Sequence, residues 1–167
     1  MAKQSLSGWN KRYRSFAFWW SVGFGAGLLR PAPGTWGSIL GLGIGYFLLQ
    51  LPYAAGVLVL GALLITVISI FAIGVIEKSA GVHDAPEIVI DEIAGQWLAM
   101  VPLAFLPYGW LELGLSFLLF RIFDIIKPWP IGPLDRKVSG GFGVMVDDLV
   151  AGVIAAAILA MLMRNVL

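Results

Sequence analysis

Along most of the chain, hydrophobic positions follow one another without a break, and charged residues gather in a few short stretches. No charged residue occurs from Pro31 to Ile76. A bilayer core takes about 20 apolar residues per helix, so this stretch predicts two spans, with the turn at Leu51-Pro52-Tyr53. The first span, Gly37 to Leu51, is short and carries Gly37, Gly41 and Gly45 at i, i+4 and i+8. That spacing lines one helix face with small residues, where another helix can approach closely. Ile93 to Phe120 holds a single charge, Glu112, and is broken at Pro107-Tyr108-Gly109, which predicts a second helical hairpin. A last apolar run covers Leu149 to Met163. The earlier run Phe16 to Leu29 is too short for a span and predicts an interfacial or re-entrant helix. Its Phe16, Phe18, Trp19 and Trp20 suit the headgroup region, where aromatic side chains gather.

The expected architecture is all-α: one domain over residues 1–167, a polytopic integral membrane helical bundle of four to five short spans plus the N-terminal interfacial or re-entrant helix. Five spans put the C-terminus outside; the number is four if Leu149–Met163 only dips into the bilayer, which Arg164 at its far end favours.

Composition supports the bilayer. The chain has 167 residues, 59% hydrophobic and 13% charged, and a mean hydropathy of +0.90. Soluble domains are about 45–50% apolar and about 25% charged, and one this small has too little interior to hide the excess. Eleven Lys+Arg against ten Asp+Glu give a net charge of +1, too balanced for a nucleic-acid binder. The absence of Cys removes disulfides, thiolate metal sites and cysteine nucleophiles. A single His, His83, excludes mechanisms that need two imidazoles in one chain. Lys3, Lys11, Arg12 and Arg14 precede the first apolar run with no clear small-residue cleavage site, so they are expected to act as a cytoplasmic anchor.

The remaining polar residues fall in three stretches, Arg30–Ser38, Glu77–Glu92 and Arg121–Asp148. With the basic N-terminus inside, all three lie on the cytoplasmic side, and the turns at Pro52 and Pro107 lie on the other. Lys127, Arg136 and Lys137 agree with the positive-inside rule. Asp91-Glu92 opens one hydrophobic helix and Asp147-Asp148 is expected to open the last. Arg121, Asp124 and Lys127, at i, i+3 and i+6, share a helix face. Capping and the helix dipole explain an acidic pair taken alone, and Arg121–Asp124 taken alone is an intrahelical ion pair. Two acidic pairs plus Asp124 on one side of a membrane protein are better explained as a site, because ionisable groups there are costly.

Several carboxylates with no Cys and one His make a site for a hard cation. Mg²⁺ prefers oxygen ligands and shares its waters with substrate phosphates, so Asp91, Glu92, Asp124, Asp147 and Asp148 are the candidate metal ligands. Arg121, Lys127 and Arg136 are candidates to hold phosphate oxygens. Backbone N–H groups at Gly140 and Gly141, in Ser139-Gly140-Gly141-Phe142-Gly143, would face an anion, a weak signal by itself. Gly23-Phe24-Gly25-Ala26-Gly27 lacks the Gly-Lys-Ser/Thr of a P-loop and follows no predicted strand. Thr35 is expected to cap a helix starting at Trp36, with its hydroxyl near the phosphate site as a lesser role.

Gly23–Ser38 (GFGAGLLRPAPGTWGS), Gly81–Glu92 (GVHDAPEIVIDE) and Arg121–Gly152 (RIFDIIKPWPIGPLDRKVSGGFGVMVDDLVAG) resemble the phosphatidylglycerophosphatase A family in three motifs, in order, over most of the chain. The resemblance implies a multi-pass bacterial inner-membrane enzyme, Mg²⁺-dependent, whose active site is on the cytoplasmic face. That family removes the terminal phosphate of phosphatidylglycerophosphate to give phosphatidylglycerol, a step of anionic phospholipid synthesis. By matching position its acidic motif falls on Asp91 and Glu92, its basic-acidic motif on Arg121, Asp124 and Lys127, and its closing motif on Asp147 and Asp148. One departure is Ser139, where a His often precedes the Gly-Gly pair.

The residues exclude several other phosphate chemistries. There is no Asp-x-Asp-x-Thr nucleophile motif and no Asp-Gly-x-x-Ala-Arg of the CDP-alcohol transferases. The expected reaction is metal-assisted phosphomonoester hydrolysis, with Asp91, Asp124, Lys127 and Asp148 as the catalytic residues. Lys127 and Arg121 are expected to stabilise charge on the phosphoryl oxygens. The partners expected are the bilayer and a phospholipid substrate, without nucleic acid; the Gly-rich helices permit a homo-oligomer without requiring one. Two other classes are a small ion transporter, which needs charges near mid-helix lining a path through both leaflets, and a helical assembly factor, which has no use for two acidic pairs.

Overall fold

The computed structural model describes residues 4–10, 12–82 and 85–165; Lys3, Lys11 and His83 lie outside the described residues. Two single 3₁₀ turns, Leu6–Gly8 and Arg12–Arg14, lead into α1 (Phe16–Ser21) and an irregular pair of turns, Gly23–Leu28. Then come α2 (Pro33–Leu48), α3 (Ala54–Ala80), α4 (Ile90–Ala99) with a 3₁₀ turn Val101–Ala104, α5 (Trp110–Ile126), α6 (Ile131–Lys137) and α7 (Gly140–Asn165). No strand occurs among the described residues, and the fold is all-α.

α3 starts after Pro52 and stops at Gly81, which takes the left-handed conformation (φ 67°) that ends many helices. At about 1.5 Å per residue, α3 and α7 are about 40 Å long, more than the roughly 30 Å of a bilayer core. These two are long and apolar enough to cross a membrane by themselves. α2 and α5, with 16 and 17 residues, are shorter, and α4 has only 10.

α3 is apolar on both sides. Leu58, Ala62, Ile65, Ile73 and Ile76 are buried, while Leu60, Leu64, Val67, Phe71 and Val75 form an exposed stripe at intervals of three and four residues. α5 repeats the arrangement, with Leu113 and Phe120 inside and Leu111, Leu118, Ile122 and Ile125 outside. Two such outer stripes are far more apolar surface than a soluble monomer carries, and they fit hydrocarbon. The protein is a helical membrane protein.

α4 is the hub. It packs against α2, α3, α5 and α7, and most of its residues are buried. Glycines set the distances. The Gly37/Gly41/Gly45 face meets α4 as expected: a Cβ at Gly41 would lie 3.0 Å from the Ile93 Cα, and one at Gly45 2.6 Å from the Met100 Sδ. Gly95 of α4 meets Gly152 of α7, where a Cβ on Gly152 would lie 3.0 Å from the Gly95 carbonyl carbon.

Three local expectations change. α7 begins at Gly140 rather than near Leu149, so Asp147 and Asp148 lie two turns inside the helix instead of opening it. Gly141 there signals packing: a Cβ on it would lie 2.5 Å from the Ile70 carbonyl oxygen of α3. α2 begins at Pro33, so Thr35 lies within the first turn and does not cap; Pro is preorganised for that first turn. Phe16–Leu29 is not one helix but α1 followed by a break at Phe24 and Gly25. α1 lies on α3, with Phe18 buried and Phe16 exposed and Trp20 Nε1 donating to Ser69 Oγ at 2.9 Å.

Candidate active site

Asp91 and Glu92 stand in the first turn of α4, where the helix dipole favours carboxylates. The Gly95–Gly152 contact brings α7 against α4 one turn below, and this places Asp148 beside them. Asp91, Glu92 and Asp148 each offer a ligand atom, all within 4.8 Å of one another. Asp147 and Asp148 are both nearly inaccessible, at 4% and 3% exposure.

Two cations flank the three carboxylates. Arg121, on α5, pairs with Asp124 one turn further on, lies 3.9 Å from Glu92, and donates to Ser38 Oγ of α2 at 3.3 Å. Lys127 closes α5 in the left-handed conformation (φ 47°) and donates to Asp147 and, at 2.6 Å, to Asp135 of α6. Partial burial disfavours the Lys127 ammonium, but the carboxylates of Asp135 and Asp147 outweigh it and hold its pKa above the ordinary lysine value.

These residues surround a cavity of about 90 Å³, lined by Asp91, Glu92, Asp124, Lys127, Asp147 and Asp148. A water's share of liquid is about 30 Å³, so the space suits an ion, its waters and a phosphate oxygen or two. The donors are all oxygens, and Glu92 Oε2 is buried without a hydrogen bond. That donor set fits a hard divalent cation and does not suit a soft one.

The structure thus gathers Asp91, Glu92, Asp124, Lys127, Asp147 and Asp148 in one place, with Arg121 bound to two of the carboxylates. It does not bring Arg136, Thr35, Gly140 or Gly141 to the cavity wall. Arg136 is an exposed residue of α6, and Gly141 is occupied against α3. Sequence reasoning missed Asp135, the second partner of Lys127, and Ser38, the hydroxyl behind Arg121. Ser38 is fully buried and donates to the Gly34 carbonyl at 2.9 Å. Its one signal was its place at the end of the Arg30–Ser38 stretch. At the opposite end of the bundle, Glu112 caps α5 by accepting from the Gly109 N–H at 2.5 Å.

Fold and site together define a helical membrane protein with an acidic, cation-flanked cavity at one end of its bundle. By sequence the chain belongs to the phosphatidylglycerophosphatase A family, whose profile matches residues 19–163. It is 42% identical over 139 residues to the phosphatidylglycerophosphatase A of Escherichia coli strain K12, covering 83% of this chain and 78% of that one. Against the protein of the same name from Haemophilus influenzae it is 39% identical over 138 residues, 83% of each chain. A Bacteroides thetaiotaomicron protein, named as a candidate phosphatidylinositol-3-phosphatase, is 37% identical over 148 residues, covering 83% of this chain and 88% of the other. No solved structure matches this one.

Proposed function

We propose that the protein is a phosphatidylglycerophosphatase of phospholipid biosynthesis, a Mg²⁺-dependent hydrolase that removes the terminal phosphate of phosphatidylglycerophosphate and leaves phosphatidylglycerol. One observation carries the reading of the site: carboxylates from two separate helices, Asp91, Glu92 and Asp148, meet within 4.8 Å beside Arg121 and Lys127.

Asp91, Glu92 and Asp148 would hold Mg²⁺, with Asp124 and Asp147 at the edge of the same set. Bound there, the ion would supply Lewis-acid polarisation of the phosphoryl oxygens. Arg121 and Lys127 each hold carboxylates now, and an incoming phosphate takes part of that hydrogen bonding for itself. Their charges then stabilise the phosphoryl oxygens as negative charge builds in the transition state. Asp124, fixed by Arg121, orients the attacking nucleophile. Arg136, outside the cavity, meets the substrate on approach.

The substrate's acyl chains stay in the bilayer, so the site belongs at its surface. We place that surface on the cytoplasmic side of the bacterial inner membrane, where the basic residues concentrate. α2, α4 and α7 start at the site end and α3 and α5 finish there, an alternation that fits four to five crossings. A transporter fits less well, since Glu112, the acidic residue that starts α5 at the far end, is a helix cap rather than a step on an ion path.

Release of inorganic phosphate from phosphatidylglycerophosphate in mixed micelles tests the reading, with phosphatidylinositol 3-phosphate as the competing substrate. EDTA should abolish release and Mg²⁺ restore it. Asp91→Asn and Asp148→Asn should each lower the rate at least about 100-fold, about 2.7 kcal/mol of barrier. EDTA-resistant release, or near-full activity in either variant, overturns the metal assignment, and preference for the inositol lipid overturns the substrate.

A further inference from the structure

Residues 85–89 form a strap that leads into α4, and neighbouring side chains on it face opposite ways. Pro86 and Ile88 line the acidic cavity. Glu87, between them, lines a second cavity of about 260 Å³ on the other side, with Ser5, Leu6, Arg12 and Arg30. Glu87 is 4% exposed. A carboxylate so buried is costly unless its oxygens are hydrogen-bonded, and this one is supplied from two directions. Ser5 Oγ donates to it, the Leu6 N–H donates at 3.2 Å, and the Arg30 guanidinium does so at 3.2 Å.

The strap's backbone is gripped from the same side. The Val89 N–H donates to the Ser21 carbonyl at 2.9 Å, and a Cβ on Gly27 would lie 3.0 Å from the Glu87 carbonyl carbon. Residues between Ser5 and Arg30 therefore hold the back of the strap while its front walls the cavity. Asp91 follows Val89 by two residues, so a shift of the strap moves Asp91 and Glu92 with it. Ser5 and Leu6 precede the 19–163 match to the family; Arg30 lies inside it.

We propose that Glu87 is a positioning residue: clamped by the Ser5–Leu6 turn and Arg30, it fixes the strap and thereby the placing of Asp91 and Glu92 for the cation. The inference rests on the reading of those two carboxylates as Mg²⁺ ligands. Glu87 itself touches neither ion nor substrate, since it faces the other cavity. Ligand-supporting contacts lower metal affinity by about 10- to 100-fold when removed, and one acting through the backbone belongs at the lower end.

The test uses full-length protein purified in detergent, as wild type, Glu87→Ala, Glu87→Gln and Ser5→Ala. Two readouts are taken: the Mg²⁺ concentration for half-maximal phosphate release, and amide hydrogen exchange over residues 85–92 with and without Mg²⁺. Glu87→Ala should raise the Mg²⁺ requirement about tenfold with a smaller change in rate at saturating Mg²⁺, and should speed exchange over 85–92 while α5 and α7 stay protected. Glu87→Gln keeps one acceptor oxygen and sets an NH₂ in place of the other, either against the Leu6 N–H or toward Ser5 and Arg30, and should recover only part of both. Ser5→Ala should give a partial shift, and adding it to Glu87→Ala should change nothing further. An unchanged Mg²⁺ requirement with unchanged exchange in Glu87→Ala overturns the proposal; if that variant does not fold, the same result in Ser5→Ala overturns it. If wild type releases no phosphate, the proposed function fails while slowing of exchange over 85–92 by Mg²⁺, and its loss in the variants, still decides the clamp.

Discussion

Lys127 holds Asp135 and Asp147 at once, and Asp147 is nearly sealed from solvent. Lys127→Met leaves that buried carboxylate without its cation, which costs about 3 kcal/mol when one partner of a buried pair is removed. The pH dependence follows from the raised lysine pKa. Stabilisation by a group whose folded pKa is raised is complete below the unfolded value, about 10.4 for lysine, and fades as pH climbs through the folded one. Thermal unfolding of wild type and Lys127→Met from pH 7 to 11 should therefore show a constant gap up to about pH 10 and a shrinking one above. A gap that closes between pH 8 and 10 would mean that burial, not the carboxylates, controls this lysine. At this scale the sequence reveals the charged residues readily, because each stands out in an apolar chain where burying a charge is expensive. It does not reveal their partners. Asp135 meets Lys127 only because the turn at Pro128–Pro130 carries α6 onto α7, and no spacing rule encodes that return.

Among the elements, the crossing of α4 and α7 governs the site. Gly95 follows Asp91 by four residues and Gly152 follows Asp148 by four, so the glycine contact lies one helical turn from the carboxylate contact on both helices. A Cβ on Gly95 would lie 2.6 Å from the Asp148 carbonyl oxygen and 2.5 Å from the Phe120 ring. Overpacking of this kind costs about 1–3 kcal/mol, so Gly152→Ala should destabilise the protein by about 2 kcal/mol and weaken binding of the proposed Mg²⁺ as Asp148 is pushed from Asp91. Gly114, exposed on α5 with open space around it, is the control. There Ala should stabilise by about 0.5–1 kcal/mol through helix propensity alone. Unfolding by a graded denaturing detergent measures both; equal effects would refute the crossing as the constraint. The same residue type explains what the sequence told and withheld. Glycines at 37, 41 and 45 repeat within an apolar run, so a packed helix face was visible. Glycines at 140, 141 and 143 follow a polar stretch and resemble a loop, yet all three lie in α7, ahead of Asp147. α3 passes too close to Gly141 for a side chain, and that proximity is tertiary, with no trace in the local sequence.

For the molecule as a whole, the decisive property is polarity from end to end. Ionised residues collect where α4 and α7 begin and α3 and α5 finish, and the far end carries the Tyr53 turn and aromatic contacts such as Tyr46 stacked on Trp110. A lipid phosphatase needs this asymmetry: the phosphate must reach carboxylates and cations at the bilayer surface while the acyl chains remain among apolar helices. On the proposed crossings, residues 49–53 lie across the membrane from Ser139. The chain contains no Cys, so one introduced thiol reports its side without a background to remove. Tyr53, 91% exposed, and Ser139, exposed beside the start of α7, are suited to substitution. In spheroplasts, a membrane-impermeant maleimide should label Tyr53→Cys at once and Ser139→Cys only after the membrane is opened. Both variants should keep phosphatase activity, since neither residue lines the acidic cavity. Labelling of Ser139→Cys in intact spheroplasts, or of the two positions from the same side, would mean that the helices do not carry the chain across as their directions require, and the cytoplasmic placing of the site would fall with them.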